Sequence, residues 1–262
     1  MVRTMLSRRW LGALALAAGF AVAAVLLGRW QWGRHEDAVA RVAAIDANYD
    51  AAPIPLESVL TAAGVPASRE WARVRVGGQY VAGSLLLVRN RPRDGVYGYD
   101  VVVPLRLSTG GTLLVDRGWV PNGETAAKRP RVPPTPLGSV TVTGWLRSPE
   151  PSLRRDLPAG QLGSISVRDA AAQTGEALYD GYLVVQSEAA SGPVASPLTP
   201  DPPDRDLGPH LAYAIQWWAA APVGFVLVLV GVRREHRERG EGTPELVPAR
   251  PRKVRIWDEE DA

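Results

Sequence analysis

The chain has 262 residues, no cysteine, two methionines and three histidines. That excludes disulfide staples and thiolate metal sites, and argues against a His-rich or Met-rich copper site. The formal net charge is +3, but residues 29–211 carry 19 Lys/Arg against 19 Asp/Glu, so the surplus does not mark a nucleic-acid surface on the folded part. The excess sits at Arg3, Arg8 and Arg9, and a local cluster follows at Arg233, Arg234, Arg237 and Arg239.

Trp10 to Gly28 carries no charge, and neither does Ala212 to Val232. At about 1.5 Å of rise per residue, each is long enough to cross a bilayer core as a helix. Arginines beyond both outer ends place the two termini in the cytoplasm. The expected order is a cytoplasmic tail (1–9), a transmembrane helix (10–28), an extracytoplasmic domain with a helical stalk (29–211), a second transmembrane helix (212–232) and a disordered cytoplasmic tail (233–262). Ser7-Arg8-Arg9-Trp10-Leu11-Gly12 also resembles a twin-arginine export signal, with Ala21–Ala23 as a cleavage site. The apolar run passes that site to Leu27, so a retained anchor is the simpler account.

After the first span, Trp32, Val39, Val42 and Ile45 recur at helical spacing and extend the helix as a stalk. Pro53 and Pro55 end it, and the stretch from Pro55 to Gly64 predicts one short helix closed by glycine. Strand patterns follow at 72–76, 84–89, 99–107, 112–120, 140–146 and 181–186. Gly77-Gly78 is read as a bulge or turn, residues 90–98 as a turn-rich link, and Pro104 as the mark of an edge or bulge. Residues 126–138 form a proline-rich crossing. A short helix is expected after Val167. The fold class is therefore a membrane protein: two transmembrane helices flanking a β-rich α+β domain of mostly antiparallel strands.

Three segments together resemble a known family. They are Gly28-Arg29-Trp30-Gln31-Trp32-Gly33-Arg34 leaving the first span, Val115-Asp116-Arg117-Gly118-Trp119-Val120-Pro121 in the β-rich part, and His210-Leu211-Ala212-Tyr213-Ala214-Ile215-Gln216-Trp217-Trp218 entering the second span. Their order and spacing are similar to the surfeit locus protein 1 family, the Shy-type factors that assist assembly of haem-copper cytochrome c oxidase. The resemblance implies an assembly factor of the bacterial plasma membrane, not an enzyme. It implies help in placing haem a in oxidase subunit I, with subunit I and a haem a synthase as partners. It also makes the histidine opening the second span, His210 here, a ligand candidate for haem iron. Trp218 stands where the family usually has Phe.

On residue chemistry, a neutral His210 imidazole can ligate iron, and Trp30, Gln31, Gln216 and Trp217 form an expected collar for haem a. The tryptophans also suit a membrane interface. His35 is a second imidazole, read first as a solvated residue. Gln31 and Gln216 can bond across the helix pair or equally to haem propionates or partner backbone, and the rows Ala15, Gly19, Ala23 and Ala220, Gly224 either let the helices approach or reflect the general excess of alanine in the chain. Pro222 predicts a kink. Strand alternation puts Asp116 with Gly118 on one face and Arg117 with Trp119 on the other, in structural roles. A cofactor-free scaffold holding oxidase subunits or haem a synthase is the alternative. A Ser/His/Asp or zinc hydrolase is disfavoured, because residues 36–209 contain no histidine.

Overall fold

Alanine and leucine dominate the first span and favour helix. In the computed structural model, a short turn α1 (Val2–Met5) precedes one unbroken helix α2 (Arg8–Asn48). The structure describes residues 2–61, 63–123, 130–153, 157–190, 194, 197–198 and 201–241. The chain divides into two units, Met1–His35 with Gly208–Ala262, and Glu36–Leu207.

In the first unit, α4 (His210–Ala220) and α5 (Val223–Glu241) are separated at Ala221-Pro222. Pro222, where a kink is expected, has no N–H to continue the ladder, and the two helical segments are divided there, with helical bonds running up to Ala221 and on from the Pro222 carbonyl. Arg8–Asn48 and His210–Arg239 are each long and apolar enough to cross a membrane. Residues 233–241, expected to be disordered, are helical as the end of α5; the rest of that tail lies outside the described residues.

Among its described residues the second unit has eight strands: β1 (Ile54–Pro55), β2 (Ala72–Tyr80), β3 (Leu86–Arg93), β4 (Val96–Leu107), β5 (Thr112–Pro121), β6 (Ser139–Arg147), β7 (Gln161–Leu162) and β8 (Leu178–Ala190). Their order is β1-β2-β6-β8-β5-β4-β3-β7, and a further pairing of β2 with β4 closes five of them into a barrel. Val74, Leu105, Leu113, Val115, Val142, Leu146 and Leu183 fill it. Full burial of each such side chain contributes about 1.5–3 kcal/mol. The outer face of β5 is covered too. Leu114 packs there with Val102, Val88, Ile165 and Ala170, the last on α3 (Val167–Thr174). Ser166 caps that helix by accepting from the Asp169 N–H, and Gly175 ends it at φ 72°.

Several local expectations are revised. The β1–β2, β3–β7 and β5–β8 pairs are parallel and the others antiparallel. Leu56–Ser58 makes only a 3-10 turn instead of a short α-helix. Residues 90–98 are not a loose link. They continue β3 into β4 through a two-residue Asp94-Gly95 turn with φ of 49° and 78°, the mirror-type turn that matches strand twist. Gly77-Gly78 lies inside β2, where Gly78 pairs with both Val140 of β6 and Leu107 of β4. A methyl at Gly78 would strike the Arg106 carbonyl oxygen, so bare backbone permits the barrel to close there. Pro104 sits within β4. Its missing N–H points the way its carbonyl does, toward Val81, in the gap where β4 exchanges β3 for β2 as neighbour. Of the proline-rich crossing at 126–138, residues 126–129 lie outside the described residues and the rest is neither helix nor strand.

The stalk end is tied to the barrel within this unit. Asn48 Nδ2 donates to the carbonyls of Ser68 and Glu70 at 2.9 and 3.0 Å. The Tyr49 ring stacks on Trp145 at 4.5 Å, and Trp145 Nε1 donates to the Tyr49 carbonyl at 2.9 Å.

Candidate functional site

Residues that lose solvent in the helical unit recur in sevens. On α2 they include Trp10, Ala17, Ala24 and Gln31, with Leu14, Ala21, Gly28 and His35 interleaved. On α4 and α5 they include His210, Trp217, Gly224 and Gly231, with Ala214, Ala221, Val228 and Glu235 interleaved. A seven-residue repeat keeps one stripe of a helix against its neighbour. The contacts along the stripe run antiparallel. A methyl on Gly224 would lie 3.1 Å from Ala17 Cβ, one on Gly28 would overlap the Trp218 indole, and one on Gly231 would overlap the Trp10 ring. Small residues thus set the helix separation. They are not the row expected from sequence: Ala15 and Ala23 are exposed, and Gly19 faces open space. Gly224 does serve as expected.

Both ends of the stripe are polar. At one, Trp10 Nε1 donates to Glu235 Oε2 at 2.6 Å, and Arg239 pairs with Glu235 at 2.6 Å. At the other, His210 Nδ1 lies 3.0 Å from Gln31 Oε1. An amide oxygen only accepts, so this contact is a hydrogen bond when Nδ1 carries a proton, and in the neutral ring that leaves the lone pair on Nε2. One turn beyond Gln31, the Nδ1 of His35 is buried with no hydrogen-bond partner among the described residues. Trp32 stands 5.9 Å from the His35 ring and 5.8 Å from Trp218. Among the described residues, this end therefore holds two imidazole nitrogens without a hydrogen bond, His210 Nε2 and the buried His35 Nδ1, beside indole rings able to lie against a flat apolar ligand. That donor set suits haem iron.

Of the residues singled out from sequence, His210 and Gln31 are brought together. Gln31 bonds His210, not Gln216, because Gln216 lies on an exposed face of α4. Trp30 is 60% exposed and Trp217 half-buried on the stripe. Sequence reasoning missed the part played by Gly28; its signal was the seven-residue spacing to His35.

The β5 motif has a different character. Opposite Val101, the strand carries one extra residue: Val102 pairs with Asp116, but Asp100 with Trp119. This bulge at Arg117-Gly118 reverses the alternation, so Trp119 falls on the Asp116 face and not, as expected, with Arg117. Trp119 Nε1 donates to the Arg91 carbonyl at 2.7 Å. Arg117 turns the other way and meets Glu188 through two bonds of 2.9 and 2.8 Å, with neither side chain exposed. The Tyr80 hydroxyl also donates to Glu188. Burial, and then the Glu188 carboxylate, push the Tyr80 phenol up, so it remains a donor. Gly118, at φ 125°, lies against the Leu198 carbonyl oxygen, and Trp119 and Leu198 exchange backbone bonds of 2.9 and 3.0 Å.

A carboxylate cluster lies on the Asp116 face. Arg91 Nε is 2.8 Å from Asp100 but poorly aligned, a charge contact without a hydrogen bond, while its NH2 meets Glu150 at 2.5 Å. Burial lifts Asp100 to about 6, with Arg91 opposing and Glu150 assisting. Burial and the nearby Asp100 charge lift Asp116 well above the usual carboxylate range, although it accepts from the Gly118 N–H. The β5 motif is thus spent on the barrel itself. Two clefts of this unit, about 670 and 650 Å³, are lined by no imidazole.

A family model described as the SURF1 family matches residues 18–221. An uncharacterised SURF1-like protein of Mycobacterium bovis is 31% identical over 245 residues, covering 90% of this chain and 89% of that protein. An uncharacterised SURF1-like protein of Mycobacterium tuberculosis matches to the same extent. A SURF1-like protein of Dictyostelium discoideum is 40% identical over 50 residues, 19% of this chain and 18% of that one.

Proposed function

The chain belongs to the SURF1 family, and from that premise we propose a membrane-bound assembly factor for haem-copper cytochrome c oxidase that receives haem a and helps place it in subunit I. Haem a is cargo in this reading. The observation that carries it is the His210–Gln31 contact of 3.0 Å at one polar end of the helix pair, the end that carries the imidazoles. It leaves His210 Nε2 as the atom to hold iron, with Trp32 and Trp218 as the flat apolar surface and His35 as a second imidazole. Trp30, Gln216 and Trp217 form an outer collar that the haem edge, subunit I or a haem a synthase would meet.

The membrane in question is the plasma membrane of a bacterium. The arginines at 3, 8 and 9 and at 233, 234, 237 and 239 hold both termini in the cytoplasm, and the strand-rich unit is extracytoplasmic. Binding is tested by purifying the full chain in detergent from cells that also make haem a. The wild type retains a haem a absorption spectrum, and His210→Ala loses most of it. An unchanged spectrum in His210→Ala removes that residue from the role. A wild type free of haem supports the cofactor-free scaffold instead.

A further inference from the structure

We infer that Gln31 is a positioning residue: it holds His210 as the Nδ1–H tautomer and so directs the bare Nε2 outward as a metal donor. The inference deepens the haem reading and rests on it only for the identity of the metal.

Two independent observations carry it. The first is chemical. His210 Nδ1 and Gln31 Oε1 are 3.0 Å apart. Were Nδ1 unprotonated, two lone pairs would face each other at that distance, so the proton belongs on Nδ1. A ligating histidine is ordinarily oriented through its second nitrogen in this way, by a carboxylate, a carbonyl or water. Here an amide oxygen fills the place.

The second is mechanical. The Gly28–Trp218 and Ala17–Gly224 contacts both fix the axial register of the helix pair. A slide of one turn would drive Trp218 off the glycine that admits it and separate Gln31 from His210. Small residues at 17, 28 and 224 therefore deliver the amide to the imidazole, and neither side chain need search for the other. Gln31 and His210 are 179 residues apart in the chain, so no local turn brings them together.

The test uses the full chain with 15N-labelled histidine and no haem. Only three histidines contribute, at 35, 210 and 236, and a His210→Ala sample assigns the signal. Wild type should show His210 with a protonated Nδ1 and a bare Nε2. Gln31→Glu, which keeps an acceptor oxygen, should show the same tautomer. Gln31→Met, equal in length and tolerated in an apolar helix, should shift His210 to the Nε2–H form. A wild-type His210 protonated on Nε2, or a tautomer unmoved by Gln31→Met, overturns the inference. Titration with ferric haem separates it from the function itself. Gln31→Met should bind about 10- to 100-fold more weakly than wild type, and Gln31→Glu within about threefold. Equal affinities for all three overturn the positioning role and leave the haem reading standing. Absent binding in wild type, with the tautomer still set by Gln31, removes the haem reading and leaves the positioning intact.

Discussion

Gly28 presents a bare backbone to the indole of Trp218, and any side chain there would occupy the space of the ring. The helix pair closes on that contact, and Gln31, which meets His210, lies three residues further along α2. The unit is thus organised by absence of side chain as much as by presence.

The register has a direct consequence. Ala17→Cys with Gly224→Cys places two sulfurs where Cβ atoms would be about 3.1 Å apart, near disulfide range after a small adjustment. The native chain has no cysteine to compete. Oxidation in membranes should link the pair within one chain, seen as faster migration on a non-reducing gel. Gly28→Leu, added to the pair, should cut the linked fraction several-fold. An equal linked fraction in that triple variant would show that Gly28 does not set the register.

Much of this architecture is legible in the sequence. Uncharged runs of membrane length, the stalk periodicity and the alternation of residues 72–76 map onto elements directly, because each depends on neighbours along the chain. The barrel closure at Gly78 is not legible, since it depends on the Arg106 carbonyl of a strand far along the chain. Nor is the Arg117-Gly118 bulge: a glycine permits one, but only pairing with Asp100 and Val102 shows that alternation reverses there. Gln31 stands out in the sequence but with the wrong partner, because rows of small residues on alanine-rich helices mark several faces at once. The seven-residue repeat selects the right one.

The buried Arg117–Glu188 pair gives a second prediction. Arg117→Met strands a carboxylate inside the barrel and should cost about 3–5 kcal/mol, a fall on the order of 10 °C in melting temperature. Arg117→Met combined with Glu188→Met should recover much of that loss, since both charges are gone. Thermal melts of the detergent-solubilised proteins decide it. A double variant no more stable than the single one would contradict the account.

Gly118 is constrained twice, by φ 125° and by the Leu198 carbonyl. Gly118→Ala should destabilise by about 1–3 kcal/mol and loosen the Trp119–Leu198 bridge. Faster amide exchange at Trp119 and Leu198 would report it; unchanged protection would contradict it.

The carboxylate cluster predicts the pH dependence of the strand-rich unit. Asp100, lifted to about 6, and Asp116, lifted well above its ordinary value, bind protons more tightly folded than unfolded. Their contribution is fully favourable below about pH 4 and is lost as pH rises through 6 and beyond. The denaturation midpoint should therefore fall from about pH 5 to about pH 8. Asp116→Asn, whose amide oxygen can still accept from Gly118, should be more stable than wild type at about pH 8 by on the order of 1–3 kcal/mol, with a shallower slope. A wild-type midpoint that rises with pH would reverse the sign and refute the assignment.

Haem a in the oxidase of living cells tests the central claim most directly. Membranes from cells lacking this protein should show a reduced-minus-oxidised spectrum depleted in haem a. The wild-type gene should restore the signal, and a His210→Ala copy present at equal level should not. A full haem a signal without the protein, or full restoration by His210→Ala, would contradict a histidine-dependent role in delivering the haem.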